Sequence, residues 1–156
     1  MVVFELIVGE PEKTRVRSSA ASDVYEGQNR ILGRLEEHLD ETYTYRCLVG
    51  GLPVERAWPW EYKAAFSPGD VIQIYMKPAR LRREGVQVTL PALSEVDLAD
   101  FAGLGTLEAF HTDGLRSLLK PSKTPEMVDK TMRHPGHAEN CGVSRRLHSF
   151  PPPVSW

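Results

Sequence analysis

The spacing of apolar and polar residues changes several times along the chain, and each change marks an element. Val2 to Val8 is rich in β-branched residues and bounded by Gly9 and Pro11, which predicts a strand. Residues 10–22 are polar and Ser-rich and predict a loop. Between Gly27 and Asp40, Ile31, Leu32, Leu35 and Leu39 recur at helical spacing, with Arg34, Glu36 and Glu37 outside the apolar stripe. Thr42 to Val49 is a β-prone run stopped by Gly50-Gly51-Leu52-Pro53. Trp58, Trp60, Tyr62 and Phe66 then gather around Pro59, which opposes a long regular helix there.

Ser67-Pro68-Gly69-Asp70 is a helix start: Ser as N-cap, Pro at the first position, Asp near the positive end of the dipole. The helix is expected through about Met76, with Pro78 ending it. Ala79 to Arg83 and Val86 to Leu90 flank Glu84-Gly85 and predict a hairpin. Thr106 to Thr112 predicts a strand, Asp113 caps a short helix through Leu119, and Pro121 to Pro125 reads as a linker. From residue 139 the chain becomes polar, then runs into Ser149-Phe-Pro-Pro-Pro-Val-Ser-Trp156, which predicts a disordered or loosely docked tail. Strands and helices are interspersed without a regular βαβ alternation. The expectation is an α+β fold with a mixed, largely antiparallel sheet.

Composition narrows the classes. A chain of 156 residues with 41% hydrophobic and 26% charged residues has the balance of one soluble globular domain. Net charge is -2 and no basic stripe is visible, which argues against nucleic acid or an anionic membrane as partner. No apolar run is long enough to cross a bilayer, and the apolar start carries Glu5 and no basic n-region, so a cytoplasmic protein is expected. Two cysteines cannot form a disulfide framework, and Cys47, in an apolar run, reads as a buried small hydrophobe.

The one Gly-rich candidate for a nucleotide is Gly103-Leu-Gly105-Thr-Leu-Glu108. A dinucleotide fingerprint needs Gly or Ala where Glu108 stands, and a strand before with a helix after. Here a strand follows, so a turn into that strand is the better reading. No phosphate-binding Gly-Lys-Ser/Thr loop occurs, and no dinucleotide-binding half is expected in this chain. His134, His137 and Cys141 have the spacing of a metal half-site without a second pair, so they are expected to be surface or loop residues and no metal is assigned. No nucleophile elbow or catalytic carboxylate pair stands out. Thr131-Met-Arg133-His134-Pro135-Gly136-His137 is dense in functional types and reads as a loop. Its Arg133 suits bidentate binding of a carboxylate, with a solvated turn as the plainer alternative.

Three blocks, in order, resemble one family. They are Leu48-Val-Gly-Gly-Leu-Pro-Val-Glu-Arg-Ala-Trp58-Pro-Trp60-Glu-Tyr62-Lys63-Ala-Ala-Phe66-Ser67-Pro68, Gly103 through Leu119, and Lys130 through His137. Together they resemble the C-terminal domain of the saccharopine dehydrogenase family, over roughly residues 46–138. Residues 1–45 (a strand plus a helix) stay unassigned, and 139–156 form the tail. The resemblance implies an NAD(P)-dependent oxidoreductase with an N-terminal Rossmann domain that binds the cofactor. Its C-terminal α+β domain supplies much of the substrate site and the dimer contact. It implies an amino-acid pocket lined or supported by Tyr62 and Lys63, by Thr112 and Asp113, and by Thr131, Arg133, His134 and Gly136. Arg133 would receive a substrate carboxylate, and Asp113 an amine or a structural role in its loop. The third block usually carries Tyr where this chain has His134.

The Rossmann half and the family's continuation after His137 are not recognisable here. The expectation is therefore a partial substrate domain of a lysine- or saccharopine-type enzyme, without redox activity alone. Two other readings stand beside it: a subunit that completes an oxidoreductase in trans with a separate Rossmann-containing chain, and a non-enzymatic module binding amino acids or proteins. Exposed sheet edges of a partial domain lead us to expect dimerisation or aggregation.

Overall fold

The structure, a computed structural model, describes residues 5–8, 12–14, 33, 42–53, 55–58, 60–62 and 68–146. Its strands are β1 (Glu5–Val8), β2 (Glu12–Thr14), β3 (Thr44–Val49), β4 (Ala79–Arg83), β5 (Val86–Leu90), β6 (Asp97–Phe101), β7 (Gly105–His111) and β8 (Glu126–Arg133). Helix α1 spans Pro68–Met76, a 3-10 turn spans Arg116–Leu119, and helix α2 spans His137–Arg146.

All eight strands belong to one sheet. β3 and β8 pair in parallel from Thr44↔Glu126 to Val49↔Thr131, and every other pairing is antiparallel. Met127 is paired both to Tyr45 and to Arg82, and Thr131 both to Val49 and to Phe110. A strand has two edges, so β4 and β7 must share the edge opposite β3. β8 is thus a fork: β3 lies along one side, while β4 meets its start and β7 its C-terminal half on the other. The result is the expected mixed, largely antiparallel sheet with helices.

Three features of the sequence act as anticipated. Pro68 opens α1 with Asp70 in its first turn, and the helix stops short of Pro78. Glu84 and Gly85 both take positive φ, 50° and 78°, as a two-residue hairpin turn between β4 and β5 requires. Gly103 and Gly105 lie at the β6–β7 turn, with Leu104 N–H donating to Phe101 O at 3.0 Å. The helix expected between Gly27 and Asp40 lies outside the described residues except for Gly33, which is helical. Lys63, Ser67 and residues 147–156 also lie outside them.

Four expectations need correction. The loop over 10–22 contains β2, an edge strand held by its antiparallel pairing to β1. β6 went unforeseen because its two aspartates hide it; Asp97 is taken by Lys130 and Asp100 accepts from Thr106 Oγ1 at 2.6 Å. The loop placed around residues 131–137 is the end of β8, a tight turn and the start of α2, and Thr131 and Arg133 are strand residues. Finally, residues 139–146 are helical where a tail was expected. Ala138 and Cys141 of α2 pack with Val71, Tyr75 and Phe110, and that packing holds the helix.

Candidate functional site

Side chains two residues apart on a strand share a face. Asp129, Thr131 and Arg133 of β8 therefore point the same way. Their cross-strand neighbours Phe110 (opposite Thr131) and Glu108 (opposite Arg133) point with them. Tyr75 and Val71 of α1, and Ala138 and Cys141 of α2, pack on Phe110 and cover this face.

Arg133 is the centre of the cluster and only 3% exposed. Its Cζ lies 4.1 Å from the centroid of the Tyr62 ring, a cation–π contact of about 0.5–2 kcal/mol. Nε donates to the Tyr75 hydroxyl at 3.3 Å and Nη1 to Met132 O at 2.8 Å. Both acceptors are neutral. The obvious counter-ion is Glu108, directly opposite on β7, yet its carboxylate is turned elsewhere. Oε2 accepts from Gly136 N–H at 2.8 Å and Oε1 accepts from Ala138 N–H. Glu108 thus satisfies the donors at the positive end of α2. Gly136, at φ 94°, makes the tight turn that brings its N–H to this carboxylate. Among the described residues no carboxylate pairs with Arg133.

His137 is 4% exposed. Its Nδ1 is 2.8 Å from Trp60 O and its Nε2 is 3.0 Å from Tyr75 Oη. Burial lowers its pKa to about 4, with the charges of Arg133 and His134 acting the same way against the opposing Trp60 carbonyl. The Tyr75 hydroxyl is pushed up to about 12, chiefly by burial and against the pull of Arg133. Trp60 and Tyr62 meet the His137 ring edge-on, at 6.3 and 5.6 Å between centroids.

A second polar group lies further along the same face. Thr112 Oγ1 donates to Asp129 Oδ1 at 2.9 Å, so the Thr131 hydroxyl, 3.0 Å away, donates to Thr112. All three side chains are buried. The chemistry of this group is structural. It satisfies polar atoms inside the sheet layer, and Gly114 fits only because it has no Cβ to meet the Asp129 carboxylate.

The eight residues singled out from the sequence therefore separate. Arg133 and Tyr62 stack. Thr112 and Thr131 join the Asp129 network. Asp113 is bound by Arg80, through Nε at 2.8 Å and Nη2 at 2.7 Å. Gly136 shapes the turn into α2. His134 follows Arg133 with Nε2 buried and without a hydrogen-bond partner among the described residues; burial, with the nearby Arg56 charge, lowers its pKa. Lys63 is outside the described residues. Tyr75, His137 and Glu108 were missed as site residues. His137 and Cys141 were read as surface or loop positions, yet both are buried. Glu108 gave no signal, since its partners follow 28 and 30 residues later. Among the described residues no group of three His, Cys, Asp or Glu side chains could hold a metal ion, and no helix is long and apolar enough to cross a membrane.

The family model of the saccharopine dehydrogenase C-terminal domain matches residues 22–151. This chain belongs to that family. The match begins before and ends after the 46–138 block in which the sequence motifs fall, and it takes in α2. Among solved structures, this saccharopine dehydrogenase C-terminal domain is similar to the apo histidine-tagged saccharopine dehydrogenase (L-Glu forming) from Saccharomyces cerevisiae. The TM-score is 0.61 at 14% identity, over 81% of this chain and 30% of that one. At that identity the likeness is one of fold. The domain spans less than a third of the yeast protein's length. Intact members of the family use NAD(P). Gly103 and Gly105 do not fit a pyrophosphate: they turn between two antiparallel strands, with no helix N-terminus behind them.

Proposed function

We propose that this domain is the substrate-binding and dimerisation part of a cytoplasmic oxidoreductase of the saccharopine dehydrogenase type. Its substrate is an amino acid of the lysine or saccharopine kind, and the domain alone has no redox activity. One observation carries the reading. Arg133 is buried, stacked on Tyr62 and hydrogen-bonded to neutral oxygens, while the glutamate opposite it is committed to the N-terminus of α2. A buried guanidinium is costly unless a charge partner completes it, and a ligand carboxylate supplies one with two parallel hydrogen bonds. Arg133 then anchors the substrate, and Tyr62 keeps the guanidinium plane fixed. The nicotinamide of the intact enzyme supplies and takes the hydride; no residue described here is assigned to holding it.

The test is an amide proton–nitrogen NMR titration of the labelled chain with saccharopine, lysine and NAD(P)H in turn. Saccharopine is expected to shift amides of β8 and the 134–136 turn, and the nucleotides to shift nothing. Arg133→Lys keeps the charge but loses the fork, and should weaken saccharopine binding at least about ten-fold. Shifts with nucleotide alone, or unchanged affinity in Arg133→Lys, would overturn the reading.

A further inference from the structure

Beyond Arg133 itself, the way its neighbours donate and accept has a fixed direction. Trp60 O is a carbonyl and can only accept, so the His137 proton sits on Nδ1. In the neutral ring Nε2 is then an acceptor, and the hydroxyl 3.0 Å away must be the donor: Tyr75 O–H points to His137. The Tyr75 oxygen is left with lone pairs, and Arg133 Nε, which can only donate, takes one of them. The chain therefore runs one way, from Arg133 through Tyr75 and His137 to the backbone of the 55–62 segment. It joins β8, α1, α2 and that segment.

We propose that Tyr75 and His137 are positioning residues for Arg133: their one-way hydrogen-bond chain occupies Nε, so that a substrate carboxylate is met by the end-on pair of Nη1 and Nη2 hydrogens. This rests on the carboxylate-binding reading of Arg133. With Nε held by Tyr75, one Nη1 hydrogen on Met132 O and Tyr62 under the plane, the side-on mode through Nε is closed and the plane cannot turn. Arg133 is thereby set to one approach of the ligand. The link from the Tyr75 hydroxyl to Nε2 requires a neutral His137; the links to Trp60 O and from Arg133 Nε do not. A charged ring would turn Nε2 into a donor, reverse the Tyr75 hydroxyl and set a second cation beside the guanidinium. Burial favours the neutral ring.

The test combines ligand affinity with a spectroscopic signature. Saccharopine affinity is measured by calorimetry for the wild-type chain and for Tyr75→Phe, His137→Phe and His137→Gln. Tyr75→Phe deletes the acceptor of Nε and should weaken binding about ten-fold, the effect of one hydrogen bond to a charged group. His137→Phe should do the same, because the Tyr75 hydroxyl loses the acceptor that orients it. His137→Gln restores an acceptor near the Nε2 position and should recover most of the affinity. In the unliganded wild-type protein, long-range proton–nitrogen spectra should show the His137 proton on Nδ1. A proton on Nε2 would overturn the proposal even if the variants fail to fold. Wild-type affinity in both Phe variants would overturn it while leaving Arg133 as the receptor. A wild-type chain that binds no carboxylate would overturn the receptor reading, and this proposal with it.

Discussion

Adding one methyl group at Gly114 should be among the most damaging small changes in the molecule. A Cβ built there would lie 2.3 Å from Asp129 Oδ1, 2.4 Å from Cγ and 2.6 Å from Oδ2. To reach ordinary contact the carboxylate must retreat by roughly 1 Å. It has little freedom to do so. Asp129 is buried in the middle of β8, between β3 on one edge and Thr112 on the other, and its Oδ1 holds the Thr112 hydroxyl at 2.9 Å. Overpacking of this kind costs about 1–3 kcal/mol, and a strained or broken buried hydrogen bond to a charged acceptor about 1.5–3 kcal/mol more. Gly114→Ala is therefore expected to destabilise the domain by about 3–5 kcal/mol. For a chain of this size that lowers the melting temperature by roughly 10 °C or more. Thermal and urea unfolding followed by circular dichroism measure it. The cause is isolated by a double-mutant cycle. Asp129→Ala is harmful by itself, but in its background the extra methyl at 114 should cost less than about 0.5 kcal/mol. A Gly114→Ala protein within about 0.5 kcal/mol of wild type, or an equal penalty in both backgrounds, would refute the steric reasoning.

Two further outcomes follow from the same face of the sheet. His137 has a folded pKa of about 4 against an ordinary 6.5, so between these values the unfolded chain binds a proton that the folded chain refuses. Stability is full above about pH 6.5 and falls by up to about 3 kcal/mol as pH drops towards 4; urea midpoints at pH 7 and pH 5 measure this, and His137→Gln should flatten the slope. Glu108→Gln removes the carboxylate that accepts from the Gly136 and Ala138 N–H groups at the start of α2 and should cost about 1–2 kcal/mol in urea unfolding, whereas an unchanged midpoint would show that this carboxylate does not hold the helix.

The local signals of the sequence were sound where a single residue dictates the backbone. Pro68 and Pro78 frame α1, and Glu84-Gly85 makes the hairpin turn. The largest departure lies in β8. β8 is paired on both edges, yet it carries Asp129, Lys130, Thr131 and Arg133 among its buried residues, and a buried central strand is expected to be apolar. Each of the three charged residues meets a residue remote in sequence: Asp129 meets Thr112, Lys130 meets Asp97, and Arg133 meets the neutral Tyr75 and Tyr62. Nothing local announces such partners, so residues 126–130 carry no strand signal and 131–133 read as loop. The site was visible to the same extent. Arg133 stood out by its chemistry, and the resemblance supplied Tyr62 beside it. Tyr75, His137 and Glu108 acquire their roles only when α1, α2 and β7 converge on one face.

The fork at β8 also decides the order in which the domain can assemble. The β4–β5 and β6–β7 hairpins close over short loops and can form early, whereas the parallel β3–β8 pairing joins residues about eighty positions apart. β8 follows every other strand of the sheet, and no two of its three neighbours are paired with each other. During synthesis, then, β3 and the two hairpins must wait as separate pieces until residues 126–133 have left the ribosome. Over that interval the edges reserved for β8 are open templates for other chains, and a chaperone's help would be needed most there.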